Sequence, residues 1–186
     1  MIKDLLKNTR SYRRFDGNRC ICDEDINDII DAVRYCPSAA NLQRVRVKIV
    51  NESSQKDTVF DDLSFAAYLK DWNGPELNER PSAYLVLMTE CELDVNLAID
   101  IGICAEAMLL TAREKGIGGC MFRSFNKDSL SKKLSAEGYI PALVIALGYP
   151  SETVVIDDVK NGDIKYYRDS EGVHHVPKLS LPEIII

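Results

Sequence analysis

The chain has 186 residues, 46% of them hydrophobic and 28% charged; that is the length of about one domain, able to bury about 70% of its unfolded surface without a disulfide or metal. Its 29 acidic and 23 basic residues leave a net charge of −6, which argues against a general nucleic-acid binder with a basic face but leaves room for a local pocket that takes one phosphate. A charged start, Met1-Ile2-Lys3-Asp4, and the lack of an uncharged apolar run of about 20 residues point to a cytoplasmic protein that contacts no membrane.

Residues 3–8 read as a short helix. Asp23 is the expected N-cap of a second helix, with Ile26, Ile29, Ile30 and Val33 on one face, ended by Pro37 and Ser38. Val45, Val47 and Ile49 alternate with Arg46 and Lys48, as in a half-buried strand. A weaker helix through the fifties and sixties stops at the polar loop Asp71-Trp72-Asn73-Gly74-Pro75. Residues 83–89 read as a buried strand, and Asp94 or Asn96 opens the longest helix, which runs to Lys115 with Gly116 as its C-cap. A strand at about 119–123 follows, then a short helix capped by Asn126, then a buried strand over 142–147. The tail carries strand-like Ile164–Tyr167 and an extended apolar end, Leu179 to Ile186. Strand, long helix and strand between 83 and 123 form a crossover unit, but the rest does not alternate regularly. The expectation is one α+β domain over residues 1–186, a mixed central β-sheet flanked by helices on both sides.

The six cysteines, Cys20, Cys22, Cys36, Cys91, Cys104 and Cys120, read as reduced thiols in that compartment. None forms a Cys-x-x-Cys pair and the only histidines are His174 and His175, so no metal site is expected.

Four segments could carry chemistry. Arg10-Ser11-Tyr12-Arg13-Arg14-Phe15 places three guanidiniums and a hydroxyl close together in an acidic chain, which suits a phosphate monoester; the bland alternative is a solvated basic turn. Pro37-Ser38-Ala39-Ala40-Asn41-Leu42-Gln43 has small residues that admit a planar ligand, and Ser38, Asn41 and Gln43 offer donors and acceptors to a heterocycle edge, unless it is only a turn. Gly116-Ile117-Gly118-Gly119 could leave backbone N–H groups free, or simply enter a strand. His174-His175-Val176-Pro177-Lys178 adds a cation, or is a surface strand near the terminus. No catalytic triad or metal motif appears.

In order along the chain stand Arg-Ser-Tyr-Arg-Arg-Phe, Pro-Ser-Ala-Ala-Asn-x-Gln, a long helix carrying Asp100-x-Gly102, Gly-x-Gly-Gly, Leu147-Gly-Tyr-Pro150 and a final His-Val-Pro-Lys. No one of these is specific, but the ordered set resembles the FMN-dependent nitroreductase family over about residues 5–185. Thr9, Arg44 and Leu179-Ser180 stand where many members carry Arg, Pro and Arg.

The resemblance implies an intertwined homodimer with FMN at its interface. It implies that Arg10, Ser11 and Arg13 grip the phosphate and ribityl chain, with Arg14 and Arg44 as possible substitutes for missing contacts. It places Ser38, Ala39 and Asn41, with neighbouring Pro37 and Gln43, against the flavin of the other subunit; Gly118 and Gly119 near the ring face; and Lys178 at the phosphate. Activity would be NAD(P)H oxidation, with NADH or NADPH as donor and ping-pong transfer through flavin N5 to an electron-poor small molecule, a nitroaromatic or quinone. No side-chain acid or nucleophile is assigned, because the flavin carries the chemistry. The short chain leaves the Trp72–Pro75 loop as a reduced substrate-side lid. Rival readings are a flavin-binding carrier or sensor without turnover, and an interaction domain without cofactor. The three terminal isoleucines suggest a tail covered by the second subunit; the alternative is a sheet-edge strand on its own subunit.

Overall fold

In the computed structural model, which describes residues 1–186, the chain begins with helix α1 (Ile2–Asn8) and an extended segment through Phe15, and then forms α2 (Asp23–Asp31). Strand β1 (Arg46–Val50), helix α3 (Ser53–Phe60), strand β2 (Ala83–Thr89), helix α4 (Val95–Glu114) and strand β3 (Gly118–Phe122) follow. Next come α5 (Lys127–Lys133), β4 (Ile140–Gly148), β5 (Val154–Asp158), β6 (Tyr167–Arg168), β7 (His174–Lys178) and a last helical turn, α6 (Leu181–Ile184).

The central sheet has the order β1-β2-β4-β3, and each neighbouring pair is antiparallel. A parallel bridge between Ser11 and Gly119 extends it beside β3, so the sheet is mixed at that edge. Because β2 and β3 both run antiparallel to β4, they are parallel to each other with β4 between them, as the crossover through α4 requires. A second, small sheet has the order β5-β7-β6, with β5 and β7 parallel.

Every residue of β2 is buried, and its side chains alternate between two cores. Ala83, Leu85 and Leu87 face a cluster that includes Ile26 and Ile29 of α2 and Leu97, Ile101 and Met108 of α4. Tyr84, Val86 and Met88 face the opposite cluster, with Val59 of α3 and Leu130 of α5. Two faces covered by helices explain why β2 and β4 read as continuous apolar runs rather than alternating ones. Each buried leucine, isoleucine or valine contributes about 1.5–3 kcal/mol. Helix α4 is long and apolar enough to cross a membrane by length and composition, but Leu97, Ile101, Cys104, Ala105 and Met108 pack it against the sheet.

Several local expectations change. The cap of α2 is Cys22, with no side-chain bond, and Asp23, Glu24 and Asp25 instead occupy the first turn, where the helix dipole favours acids. The helix tightens into a 3-10 turn over Ala32–Tyr35, and Cys36 is extended, as a residue before proline should be. Ile164–Tyr167 is not a strand; only Tyr167–Arg168 pairs, with His174 and His175. The tail is not an extended strand on its own subunit either. Ser180 and Glu183 form a capping box that turns Leu181–Ile184 into a helix. Asp94 and Asn126 do cap α4 and α5, accepting from Leu97 N and Ser129 N. Gly116, at φ +75°, ends α4 in the left-handed conformation.

Candidate functional site

The segment from Ser11 to Asp16 belongs to no helix and is laced across the sheet end. Tyr12 N donates to Gly119 O at 3.0 Å, Asp16 N to Tyr149 O at 2.8 Å and Ser151 N to Arg14 O at 3.1 Å. Extended backbone sends alternate side chains to opposite sides. Tyr12 is buried between Ser11 and Arg13, which face the other side; the alternation ends at Phe15, which is buried as well. Ser11 and Arg13 line a cleft of about 330 Å³ together with Arg10, Tyr166, His174 and Lys178, while Glu106 and Leu109 of α4 form another part of its wall.

Arg10, Arg13 and Lys178 make no ion pair, although the chain has acid to spare. Arg10 donates to Leu6 O at 2.7 Å and leaves its Nε buried without a partner. Arg13 donates to Ser11 O at 3.3 Å and lies 5.0 Å from the Tyr166 ring centre. Unneutralised guanidinium and ammonium groups converging on a concavity are what an anionic ligand requires. Arg14 is placed elsewhere. It faces Glu79 at 3.4 Å and lies 5.9 Å from the Trp72 ring centre, so it does not line the cleft. Trp72 is likewise engaged by Arg168, at 4.3 Å, and by Phe65.

His174 is fully buried, and neither ring nitrogen has a partner. Burial, reinforced by the Arg13 charge, pushes it down to about 4, so it is neutral near pH 7. His175, on the other face of the same strand, behaves oppositely. It sits 3.1 Å from Asp169 and 2.7 Å from Asp157, which raise its pKa, Asp169 most.

The second segment lies along another part of α4. Pro37, Ser38 and Gln43 line a smaller pocket of about 160 Å³ with Asp100 and Cys104. The buried Asp100 carboxylate accepts Ala39 N at 3.0 Å, and Ser38 Oγ accepts Gln43 N at 3.1 Å. Three residues here, Ala40, Asn41 and Gln43, have φ of +48° to +53°. Left-handed non-glycine residues cost free energy and cluster at functional sites. No residue is shared between this pocket and the first, so one chain presents two separate pieces of lining. Arg44 is held by Asp94 at 2.8 Å, away from the cleft.

Gly118 and Gly119 are buried in β3, paired with Gly148 and Leu147. A Cβ on Gly118 would lie 2.6 Å from the Tyr12 ring, and one on Gly119 would lie 2.5 Å from Leu109. Their absent side chains let Tyr12 and Leu109 close over the strand. The sequence reading picked Lys178 from the last segment but gave no role to His174, Arg168 or Glu152. Glu152 meets Arg13 and Arg14 across 139 and 138 residues, a contact with no local pattern.

The sequence model of the nitroreductase family matches residues 6–149. The Bacillus subtilis (strain 168) protein named "Putative NAD(P)H nitroreductase YodC" is 21% identical over 176 residues, covering 78% of this chain and 87% of its own. The nitroreductase family protein of Streptococcus pneumoniae TIGR4 superposes with a TM-score of 0.71 at 16% identity, covering 100% of this chain and 99% of that one. An FMN-dependent nitroreductase of Clostridium difficile R20291 superposes with a TM-score of 0.64 at 22% identity, covering 92% and 94%. At these identities the superpositions establish the shared fold.

Proposed function

The chain belongs to the nitroreductase family, and from that premise we propose that it is an FMN-dependent NAD(P)H oxidoreductase, a homodimer of one flavin-binding domain over residues 1–186. The observation that carries this reading is the trio of unpaired cations, Arg10, Arg13 and Lys178, around a cleft that also holds the Ser11 hydroxyl. The orphaned Arg10 Nε fits an anion that the chain alone does not supply. The cleft volume of about 330 Å³ sits at the lower end of the roughly 300–1,000 Å³ of ligand pockets. It is sized for part of a nucleotide-like ligand, the remainder meeting a second copy.

In this reading Arg10, Ser11, Arg13 and Lys178 hold the phosphate, each charged contact contributing about 1.5–3 kcal/mol. Pro37, Ser38, Ala39, Asn41 and Gln43 approach the flavin bound to the partner subunit, on a backbone locked by Asp100. Gly118 and Gly119 let Tyr12 and Leu109 pack tightly on β3, and Leu109 in turn forms part of the cleft wall. The chemistry that FMN supplies when bound is hydride acceptance at N5 from NADH or NADPH and then, in ping-pong order, electron delivery to an electron-poor nitroaromatic or quinone. The polypeptide binds, orients and shields. No side chain is assigned as acid or nucleophile.

The homodimer rests on exposed apolar surface. Val95, Ile99 and Ile103 form a stripe along one face of α4, with exposures of 77%, 56% and 37%, and Leu181, Ile184, Ile185 and Ile186 are also exposed. Contiguous apolar patches of this kind mark interfaces.

The test is direct. The purified protein should be yellow and release FMN on denaturation, and it should oxidise NADH or NADPH when a quinone or nitroaromatic is present. Release of FAD, or no flavin binding after reconstitution, would overturn the reading.

A further inference from the structure

The segment that carries Ser11 and Arg13 has neither helix nor hairpin to hold it, yet its two sides face different surroundings. One side chain fixes its middle. The Oε1 atom of Glu152 accepts the backbone N–H of Arg13 and that of Arg14, the latter at 3.1 Å. Its other oxygen, Oε2, accepts from Arg168 Nη2 at 2.8 Å, and the Glu152 side chain is only 2% exposed. A single carboxylate therefore ties the N-terminal segment to the β4–β5 connection and to β6.

A buried carboxylate is costly unless charge and hydrogen bonds compensate it. Here three donors do so. His174 lies beside it, with Nδ1 3.9 Å from Oε2, beyond hydrogen-bond reach. Arg168, in turn, is braced against the Trp72 ring. Neither Glu152 nor Arg168 lines the cleft, although His174 does. Turning the Tyr12–Arg13 and Arg13–Arg14 peptides away from Glu152 would break both bonds and leave the carboxylate with Arg168 alone. The orientation that aims Ser11 and Arg13 into the cleft, and Tyr12 and Arg14 away from it, is therefore the one the carboxylate selects.

We propose that Glu152 is a positioning residue for phosphate recognition, holding the Arg13–Arg14 backbone so that Ser11 and Arg13 face the anion. The inference rests on the FMN reading above and adds a consequence to it. Glu152 governs the preference for FMN over riboflavin, which has the same ring and ribityl chain but no phosphate.

The experiment is titration of the full-length protein with FMN and with riboflavin, followed by flavin fluorescence. Wild type, E152A and E152Q are compared, with circular dichroism to confirm folding. E152A removes all three acceptor contacts and should weaken FMN about tenfold more than riboflavin, the order expected for losing hydrogen bonds to a charged group. E152Q keeps an amide oxygen for the two backbone donors but turns an amide N–H₂ toward Arg168, so its loss of preference should be smaller, about threefold. A loss equal for both flavins would mark a general structural role and overturn the proposal, as would an unchanged ratio. If E152A does not fold, E152Q decides on the same ratio. Wild-type protein that binds FMN while the variants keep its preference overturns the Glu152 assignment alone. Wild-type protein that binds neither flavin overturns the FMN reading and the assignment together.

Discussion

The two segments singled out as binding elements are built on opposite terms. Ser11–Asp16 is extended, relaxed in backbone, and held from outside by Glu152, by Gly119 and by the Tyr149–Ser151 connection. Ala39–Gln43 is tightly turned, with three residues at positive φ, and is held chiefly by the Asp100 carboxylate and the Ser38 hydroxyl. The first surrounds a cleft with cations; the second offers small residues and amides beside a smaller pocket. In the proposed reading the first meets a phosphate and the second the edge of a ring. They line separate pockets within one chain, and in the proposed dimer each would be one half of a site completed by the other subunit.

Four perturbations break or sharpen that contrast. Truncation after Ser180 removes the exposed tail isoleucines and should act on both segments at once through the dimer. At about 1.5–3 kcal/mol for each isoleucine that the partner buries, it should cost several kcal/mol of dimer stability and reduce flavin retention in parallel, as read by sedimentation and absorbance. Arg13→Ala should act on the first segment only, weakening FMN by about tenfold to 150-fold, or about 1.5–3 kcal/mol, with far less effect on riboflavin. Asp100→Ala should act on the second segment only. It leaves the Ala39 N–H without its acceptor and should cost about 1–3 kcal/mol of stability in urea unfolding, while inorganic phosphate still competes for the first cleft.

The smallest effect is a pH dependence of opposite sign at two adjacent residues. His174 is lowered from 6.5 to about 4, so its contribution is complete above pH 6.5 and is lost as the pH falls from there through about 4. His175 is raised above 6.5, mostly by Asp169 and then Asp157, so its contribution is present below pH 6.5 and is lost as the pH rises through the folded value. His174→Asn should flatten the acid limb of a melting-temperature profile, and His175→Gln the neutral-to-alkaline limb. A profile unchanged in both variants would show that neither histidine titrates differently in the folded state.

Much of the fold was legible because its elements are locally specified. The apolar runs of β2 and β4, the Asp94 and Asn126 caps and the glycine that ends α4 each declare themselves within a few residues. The small sheet was not legible as a sheet. Val154–Asp158 is three apolar residues followed by two acids, with no period-2 alternation, is only partly buried, and pairs with β7 across 20 residues of sequence, Val154 to His174. In the candidate site, Arg10, Arg13 and Lys178 could be picked by charge against an acidic background, with Ser11 between two of them, and the structure brings all four to one cleft. Arg14 could not be separated from Arg13 by charge alone; the alternation of extended backbone separates them. Glu152 was invisible for a stronger reason. It is one acid among 29, and its significance arises only when chain ends more than a hundred residues apart are joined.

The central claim, that each FMN is held by the first segment of one subunit and the second segment of its partner, is tested most directly by complementation. One variant carries Arg10→Ala and Arg13→Ala. The other carries Asn41→Gly and Gln43→Gly, which keep the left-handed backbone while deleting both amides. Each alone should bind FMN poorly. Unfolded together and refolded as a mixture, they form mixed dimers in which one site has both intact segments and the other has neither. The account predicts that tight FMN binding returns in the mixture, with one competent site per mixed dimer. Mixed dimers that form but bind no better than either parent would contradict it, and would place both segments of a site in the same chain.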